Sequence, residues 1–200
     1  MRIAIDVQGF QSEGSRLRGI GRYSMTLVKT LIEIFPDNQY ILFANASLRD
    51  VRDDLKDELK NDNVSYFQWY SIGPFNQNLD GDNYLKYYAI ELRTFSLSLL
   101  NADCILITSS FEGFTDNCLT EIKSGYKLPP VVSIMYDLIP LINPQIYLDN
   151  NPLFKYFYMA KLKELENLDG LLSISNSCLM EAKRYLKIDK DNLFNISSAC

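Results

Sequence analysis

Residues 16–23 bring three arginines, Arg16, Arg18 and Arg22, together with Gly19 and Gly21. The stretch lies between an apolar run at 2–7 and the start of an amphipathic pattern. Glycine lets main-chain N–H groups approach a ligand closely, a helix start attracts negative charge, and guanidinium forks supply paired donors. That chemistry suits a phosphate or another anion, with Arg18, Gly19, Gly21 and Arg22 as the candidate contacts. The competing reading is a flexible loop whose arginines are merely solvated. The spacing is not the dinucleotide fingerprint, because Ser24 stands where its third glycine would fall. No Walker-type phosphate loop occurs either.

Other residues compete for chemistry. Asp137 closes an apolar run and precedes Leu138-Ile139-Pro140. A carboxylate at the carboxyl end of a central strand is a functional candidate in α/β folds, and an N-cap is the equal alternative. Glu112-Gly113 follows another apolar run and reads the same way, more weakly. Asp80-Gly81-Asp82 resembles a metal-gripping acidic pair, yet it lies in a polar turn among asparagines, where a solvated loop is the simpler reading, so no metal site is assigned. The aromatic residues at 154–158 read as core or a hydrophobic ledge before a sugar-stacking platform. The chain has no histidine, which removes Ser-His-Asp and Cys-His hydrolases and His-ligated zinc.

With 200 residues, 47% of them hydrophobic, the chain can bury a core of its own. A net charge of -5 argues against a nucleic-acid partner. No apolar run is long enough to span a membrane, and no leader pattern opens the chain, so a cytoplasmic location is expected. Cys104, Cys118, Cys178 and Cys200 are scattered and read as reduced thiols.

These residues need a scaffold, and the periodicity supplies one. Strands are expected at 2–7, 39–44, 64–70, 103–108, 131–136 and 170–174, with a closing run at 193–196. Helices are expected at 19–35, 84–101, 151–168 and 175–186, the last capped by Ser175. Residues 47–61, with Val51, Leu55 and Leu59 four apart, read as a solvated crossover helix, and 8–18 as a long polar loop. Strands alternating with helices indicate an α/β fold: a doubly wound, mainly parallel sheet with Rossmann-like topology. Ligands of such sheets sit beyond the carboxyl ends of the strands. The loops 8–23, 108–118 and 136–147 are therefore the informative ones.

Several motifs in order carry a resemblance. They are Ile3-Ala4-Ile5-Asp6, Arg18-Gly19-Ile20-Gly21-Arg22-Tyr23, Ser109-Ser110-Phe111-Glu112-Gly113, Tyr136-Asp137-Leu138-Ile139-Pro140-Leu141 with Pro144 and Tyr147, and Ile174-Ser175-Asn176-Ser177. Together they resemble the N-terminal lobe of family-4 retaining glycosyltransferases of the GT-B fold, in the bacterial mannosyltransferase-like branch that builds surface polysaccharides. The resemblance implies that residues 1–200 form a single acceptor-side lobe, without the donor lobe. It implies a nucleotide-sugar as co-substrate, no resident cofactor, and a glycan or lipid-linked acceptor, with peripheral contact at the inner membrane face open. Gly19, Gly21, Arg18 and Arg22 would approach the donor diphosphate, Asp137 the transferred sugar, and Glu112, Gly113 and Tyr136 the acceptor side. Many family members carry histidine where this chain has Tyr136, a group that hydrogen-bonds but does not titrate near neutrality. A stand-alone nucleotide or sugar-phosphate binding module is the alternative.

Overall fold

Strand β1 (Arg2–Asp6) runs through the middle of the molecule because both of its faces are apolar. In a computed structural model, which describes residues 1–71 and 84–197, Ala4 and Ile5 are fully buried on opposite sides of one sheet. That sheet holds β1, β2 (Gln39–Asn45), β3 (Val64–Trp69), β4 (Cys104–Ile107), β5 (Val131–Met135), β6 (Gly170–Ser173) and β7 (Leu193–Asn195). Every pairing is parallel, in the order β3-β2-β1-β4-β5-β6-β7. The order reverses between β1 and β4, which opens a crevice at their carboxyl ends. The doubly wound Rossmann-like sheet expected from the sequence is thus the observed one, while the closing run, which reads in sequence as a strand leaving the domain, instead pairs with β6 as the sheet's edge.

The helices in chain order are α1 (Gln8–Gln11), α2 (Gly19–Ile34), α3 (Tyr84–Ser98), α4 (Ile139–Ile142), α5 (Pro144–Tyr147), α6 (Pro152–Leu165) and α7 (Asn176–Tyr185). Val28 and Ile32 of α2 pack on Ile5, Leu42 and Leu106, while Ala89 and Leu97 of α3 pack on Ala4, Phe43 and Ile105. Ser175 caps α7, accepting the Cys178 amide at 3.1 Å, as its position before an apolar-periodic run predicts. Asn151 does the same for α6, accepting the Phe154 amide at 3.0 Å.

Two expectations are corrected. Residues 47–61 form turns and one 3₁₀ turn at Glu58–Lys60 instead of a crossover helix. Asp50 accepts the Arg52 amide at 2.9 Å, and such local carboxylate–amide bonds compete with helix formation. Val51 and Leu55, spaced as a helix stripe, are nevertheless fully buried against the α2 side of the sheet. The polar loop 8–18 contains α1, all four residues of which are buried. Its glutamines are buried because they satisfy main-chain groups: Gln11 Nε2 donates to the Asn45 carbonyl at 3.0 Å, and Gln8 Nε2 donates to the Leu119 carbonyl at 2.6 Å.

Two buried ion networks tie the layers together. Arg93 of α3, 0% exposed, pairs with Asp6 at the end of β1 and donates to the Glu121 carbonyl at 2.8 Å. Lys161 of α6 lies 3.1 Å from Glu121 and 3.5 Å from Glu164, with Lys86 on the other Glu121 oxygen at 2.9 Å. Burial pushes the Glu121 carboxyl up, but Lys161 and Lys86 outweigh it and hold it well below the carboxylate range. Burial pushes Glu164, which shares Lys161, up to about 7.

The signs fix a pH profile. The lowered Glu121 contributes stability that is present above about pH 4.3 and lost as the pH falls further. The raised Glu164 has the opposite sign, costing stability as the pH climbs from about 4.3 toward 7. Urea midpoints should therefore be highest near about pH 4–5 and decline toward pH 7, and Glu164→Gln should flatten that decline. A midpoint that kept rising from pH 6 to pH 8 (about the range where that carboxyl ionises) would contradict this assignment.

Candidate functional site

At the carboxyl ends of β1, β4 and β5 lies a cleft of about 410 Å³. Ser12, Gly14, Ser15, Arg18 and Ile20 line it from the β1 side, and residues 109 and 111–115 from the loop after β4. Tyr136, Asp137 and Pro140 come from the end of β5, and Phe154, Phe157 and Tyr158 from α6. The three loops singled out in the sequence therefore converge on one cavity, joined by the aromatic face of α6.

The arginine–glycine loop divides into parts with different work. Arg18 is exposed at the cleft, in an extended conformation directly before α2, and no side chain caps that helix. Gly19 has no atom within 4 Å of where a Cβ would sit, so the start of α2 is open. Gly21 is packed instead: a Cβ there would lie 2.5 Å from both Arg16 Cα and the Ser15 carbonyl oxygen. Its amide already donates to that carbonyl at 3.1 Å and the Arg22 amide to the Arg18 carbonyl at 3.1 Å, so in the first turn of α2 the amides of Gly19 and Ile20 are the ones without a protein acceptor among the described residues. Arg22 is exposed one turn further on and lies outside the cleft lining, while Arg16 is half-buried.

Glu112 is 6% exposed at the cleft and accepts from the Ser109 hydroxyl at 2.8 Å. Burial pushes its carboxyl up, partly offset by the hydroxyls of Ser12, Ser109 and Ser15. Asp116, also buried, accepts from Ser12 Oγ at 2.6 Å and from the Glu13 amide at 3.0 Å, which knits the β1 and β4 loops together. Gly113 makes that tight turn possible. Its φ is +101°, and a Cβ would fall 2.3 Å from the Cys118 carbonyl oxygen.

Tyr136 is a clamp as well as a lining residue. Its hydroxyl lies 2.7 Å from Ser24 Oγ of α2 and donates to the Thr108 carbonyl at 3.0 Å, and its ring meets Tyr23 edge-on at 5.8 Å. Burial pushes the phenol far above its usual range, so it stays a neutral hydrogen-bonding group. Asp137 lines the cleft, and its Oδ1 accepts the Ile139 amide at 3.0 Å in a local turn; the N-cap position of α4 is Leu138, so the N-cap reading of Asp137 is corrected.

Sequence reasoning missed Ser12, Ser15, Phe111 and Phe114 as lining residues. The strand-end rule applied residue by residue to 8–18 and 109–118 would have found them. The aromatic residues at 154–158 split by face, with Phe157 and Tyr158 buried, Phe154 half-buried at the cleft and Tyr156 63% exposed. Asp80 and Asp82 lie outside the described residues. Among those described, no group of three potential metal ligands is assembled. No helix among them is long and apolar enough to cross a membrane.

No family model matches the chain. Over its full length it is 32% identical to the serotype-specific mannosyltransferase WbdA of Escherichia coli. Two further matches carry the same name, at 36% identity over 107 residues and 31% over 159. The chain is therefore similar in sequence to one part of a bacterial mannosyltransferase. It spans 24% of the length of that first WbdA relative. Solved structures share the fold. The lobe superposes on UGT89C1 of Arabidopsis thaliana, crystallised with UDP, at a TM-score of 0.55 and 10% identity, covering 100% of this chain and 50% of that one. A glycosyltransferase of Rickettsia africae gives a TM-score of 0.50 at 13% identity, over 99% of this chain and 43% of the other. At these identities the likeness establishes the fold alone, a Rossmann-like lobe that accounts for about half of each larger chain.

Proposed function

We propose that the chain is the acceptor-side lobe of a retaining glycosyltransferase. Such an enzyme moves a sugar from a nucleotide-sugar to a glycan or lipid-linked acceptor in surface polysaccharide synthesis at the cytoplasmic face of the membrane. The transferred sugar is mannose if the lobe follows its WbdA relatives. The observation that carries this reading is the convergence of Arg18, Glu112 and Asp137, from three separate strand ends, on one cleft. In this arrangement Arg18 and the open amides of Gly19 and Ile20 face a departing diphosphate, Asp137 lies toward the transferred sugar, and Glu112 toward the acceptor. The chemistry asked of the lobe is positioning and charge neutralisation, which needs no titrating histidine, metal or resident cofactor on this side.

The test is a transfer assay with a nucleotide-sugar and a mannoside acceptor. The 200 residues alone should transfer nothing. A polypeptide in which this lobe precedes a donor lobe should transfer with retained anomeric configuration, and Arg18→Ala should lower kcat/KM about tenfold. Transfer by the single lobe, or an inverted product, would overturn the proposal. The alternative, a nucleotide-binding module without chemistry, would instead show micromolar nucleotide affinity in the isolated chain, weakened by Arg18→Ala.

A further inference from the structure

Helix α3 is apolar on the side turned away from the sheet as well as on the side packed against it. Its inner positions Ala89, Arg93, Ser96 and Leu97 are buried. Its outer side carries Tyr84, Tyr88, Leu92 and Phe95 and, in the turn that follows, Leu99, at spacings of four, four, three and four residues. Tyr84 is 72% exposed, Tyr88 56%, Phe95 45% and Leu99 58%, and Leu85 beside them is exposed too. No charged residue interrupts the stripe. Helix α2 shows the ordinary pattern, turning Arg22, Thr26 and Glu33 to solvent. A helix that is apolar on both sides is one that a second neighbour covers.

The neighbour that fits is another copy of the same helix. The stripe is symmetric about its midpoint: in an antiparallel pair Tyr84 lies against Leu99 and Tyr88 against Phe95, with Leu92 at the centre. One surface then complements itself about a two-fold axis. Counting about 200 Å² for a whole ring side chain, the exposed parts of the three rings with Leu85 and Leu99 offer roughly 500 Å² per copy. A pair would bury about 1,000 Å², the area at which a specific interface becomes possible. Glu91, the acid at the edge of the stripe that would meet its own copy across the axis, is neutralised in place by Lys123 and the Tyr126 hydroxyl. A bilayer would call instead for cations flanking the apolar face. The cations of α3, Lys86 and Arg93, are committed to Glu121 and Asp6.

We infer that α3 is the contact of a homodimer, pairing antiparallel with α3 of a second copy through Tyr84, Tyr88, Leu92, Phe95 and Leu99. No residue of α3 lines the cleft at the strand ends, so the contact is independent of what that cleft binds.

Sedimentation velocity on the 200-residue chain, from about 1 to 200 µM, tests the inference. The chain should pass from monomer to dimer with a dissociation constant of about 10 µM. Tyr88→Glu and Phe95→Lys should each weaken dimerisation at least about tenfold, while Tyr156→Glu, at an exposed ring of α6, should leave it unchanged. Positions 88 and 95 are exposed, so both variants should melt with the parent at about 1 µM, where the parent is monomeric. Mixing Tyr88→Glu with Phe95→Lys should restore association, because the antiparallel register sets the two substituted positions opposite each other. A chain that stays monomeric to about 200 µM, including one that sediments with anionic vesicles instead, would overturn the inference. So would dimerisation unchanged in both variants, or a mixture of the two that fails to associate.

Discussion

Replacing Arg93 by methionine should lower the unfolding free energy by about 3–5 kcal/mol, the cost of leaving one member of a buried ion pair behind. Asp6 is 1% exposed and would keep only Gln8, whose amide lies at 2.9 Å and side-chain nitrogen at 3.0 Å. Methionine fills much of the volume against Phe43, over whose ring the guanidinium sits at 6.0 Å, so the loss reports charge and not a cavity. The Arg93 Nε atom is buried without a partner, and its removal returns a little of that cost. Urea unfolding measures the effect, with the exposed Lys60–Asp57 pair as control, where Lys60→Met should change stability by less than about 0.5 kcal/mol. Equal effects of the two substitutions would show that the β1–α3 network does not hold the sheet centre together.

The second large effect is expected at Gly21. A Cβ there would meet Arg16 Cα and the Ser15 carbonyl oxygen at 2.5 Å, and main-chain atoms cannot swing aside as a side chain can. Gly21→Ala should therefore cost about 1–3 kcal/mol by overpacking. It should also push the start of α2 away from Ser15, displacing Arg18 and the two open amides together. In a polypeptide carrying both lobes, transfer should fall more than roughly tenfold, because a shift of about 1 Å in a positioning element is enough for that. Gly19→Ala is the contrast: nothing lies within 4 Å of its Cβ position, and alanine favours the helix. That variant should melt no lower than the parent. The reverse ranking of the two glycines would contradict the assignment of Gly21 to packing and Gly19 to the open helix start.

The sheet was legible because β1, β4 and β5 are short apolar runs buried on both faces, and nothing but a parallel sheet covered by helices satisfies that pattern. The strand ends followed from topology, which is why Arg18, Glu112, Tyr136 and Asp137 could be placed together before any contact was known. Local hydrogen bonding was not legible. Asp50 draws 49–55 into turns where the spacing of Val51 and Leu55 suggests a helix. Gln8 and Gln11 look like loop residues until their main-chain partners on β2 and beyond β4 are seen. The two glycines of the arginine loop look alike in sequence, and only the approach of Ser15 and Arg16 separates them. Likewise, nothing in the spacing shows that Tyr136 spends its hydroxyl on Ser24 and Thr108.

An amide-resolved NMR titration of the chain with a nucleoside diphosphate tests the central claim most directly. If the proposal holds, a second lobe would supply half of the diphosphate site, so the chain alone should bind it no tighter than about 1 mM. The shifted amides should be those of Arg18, Gly19 and Ile20, with those of Glu112 and Asp137 beside them. Micromolar affinity in the isolated chain, or shifts clustered away from the carboxyl ends of β1, β4 and β5, would contradict it.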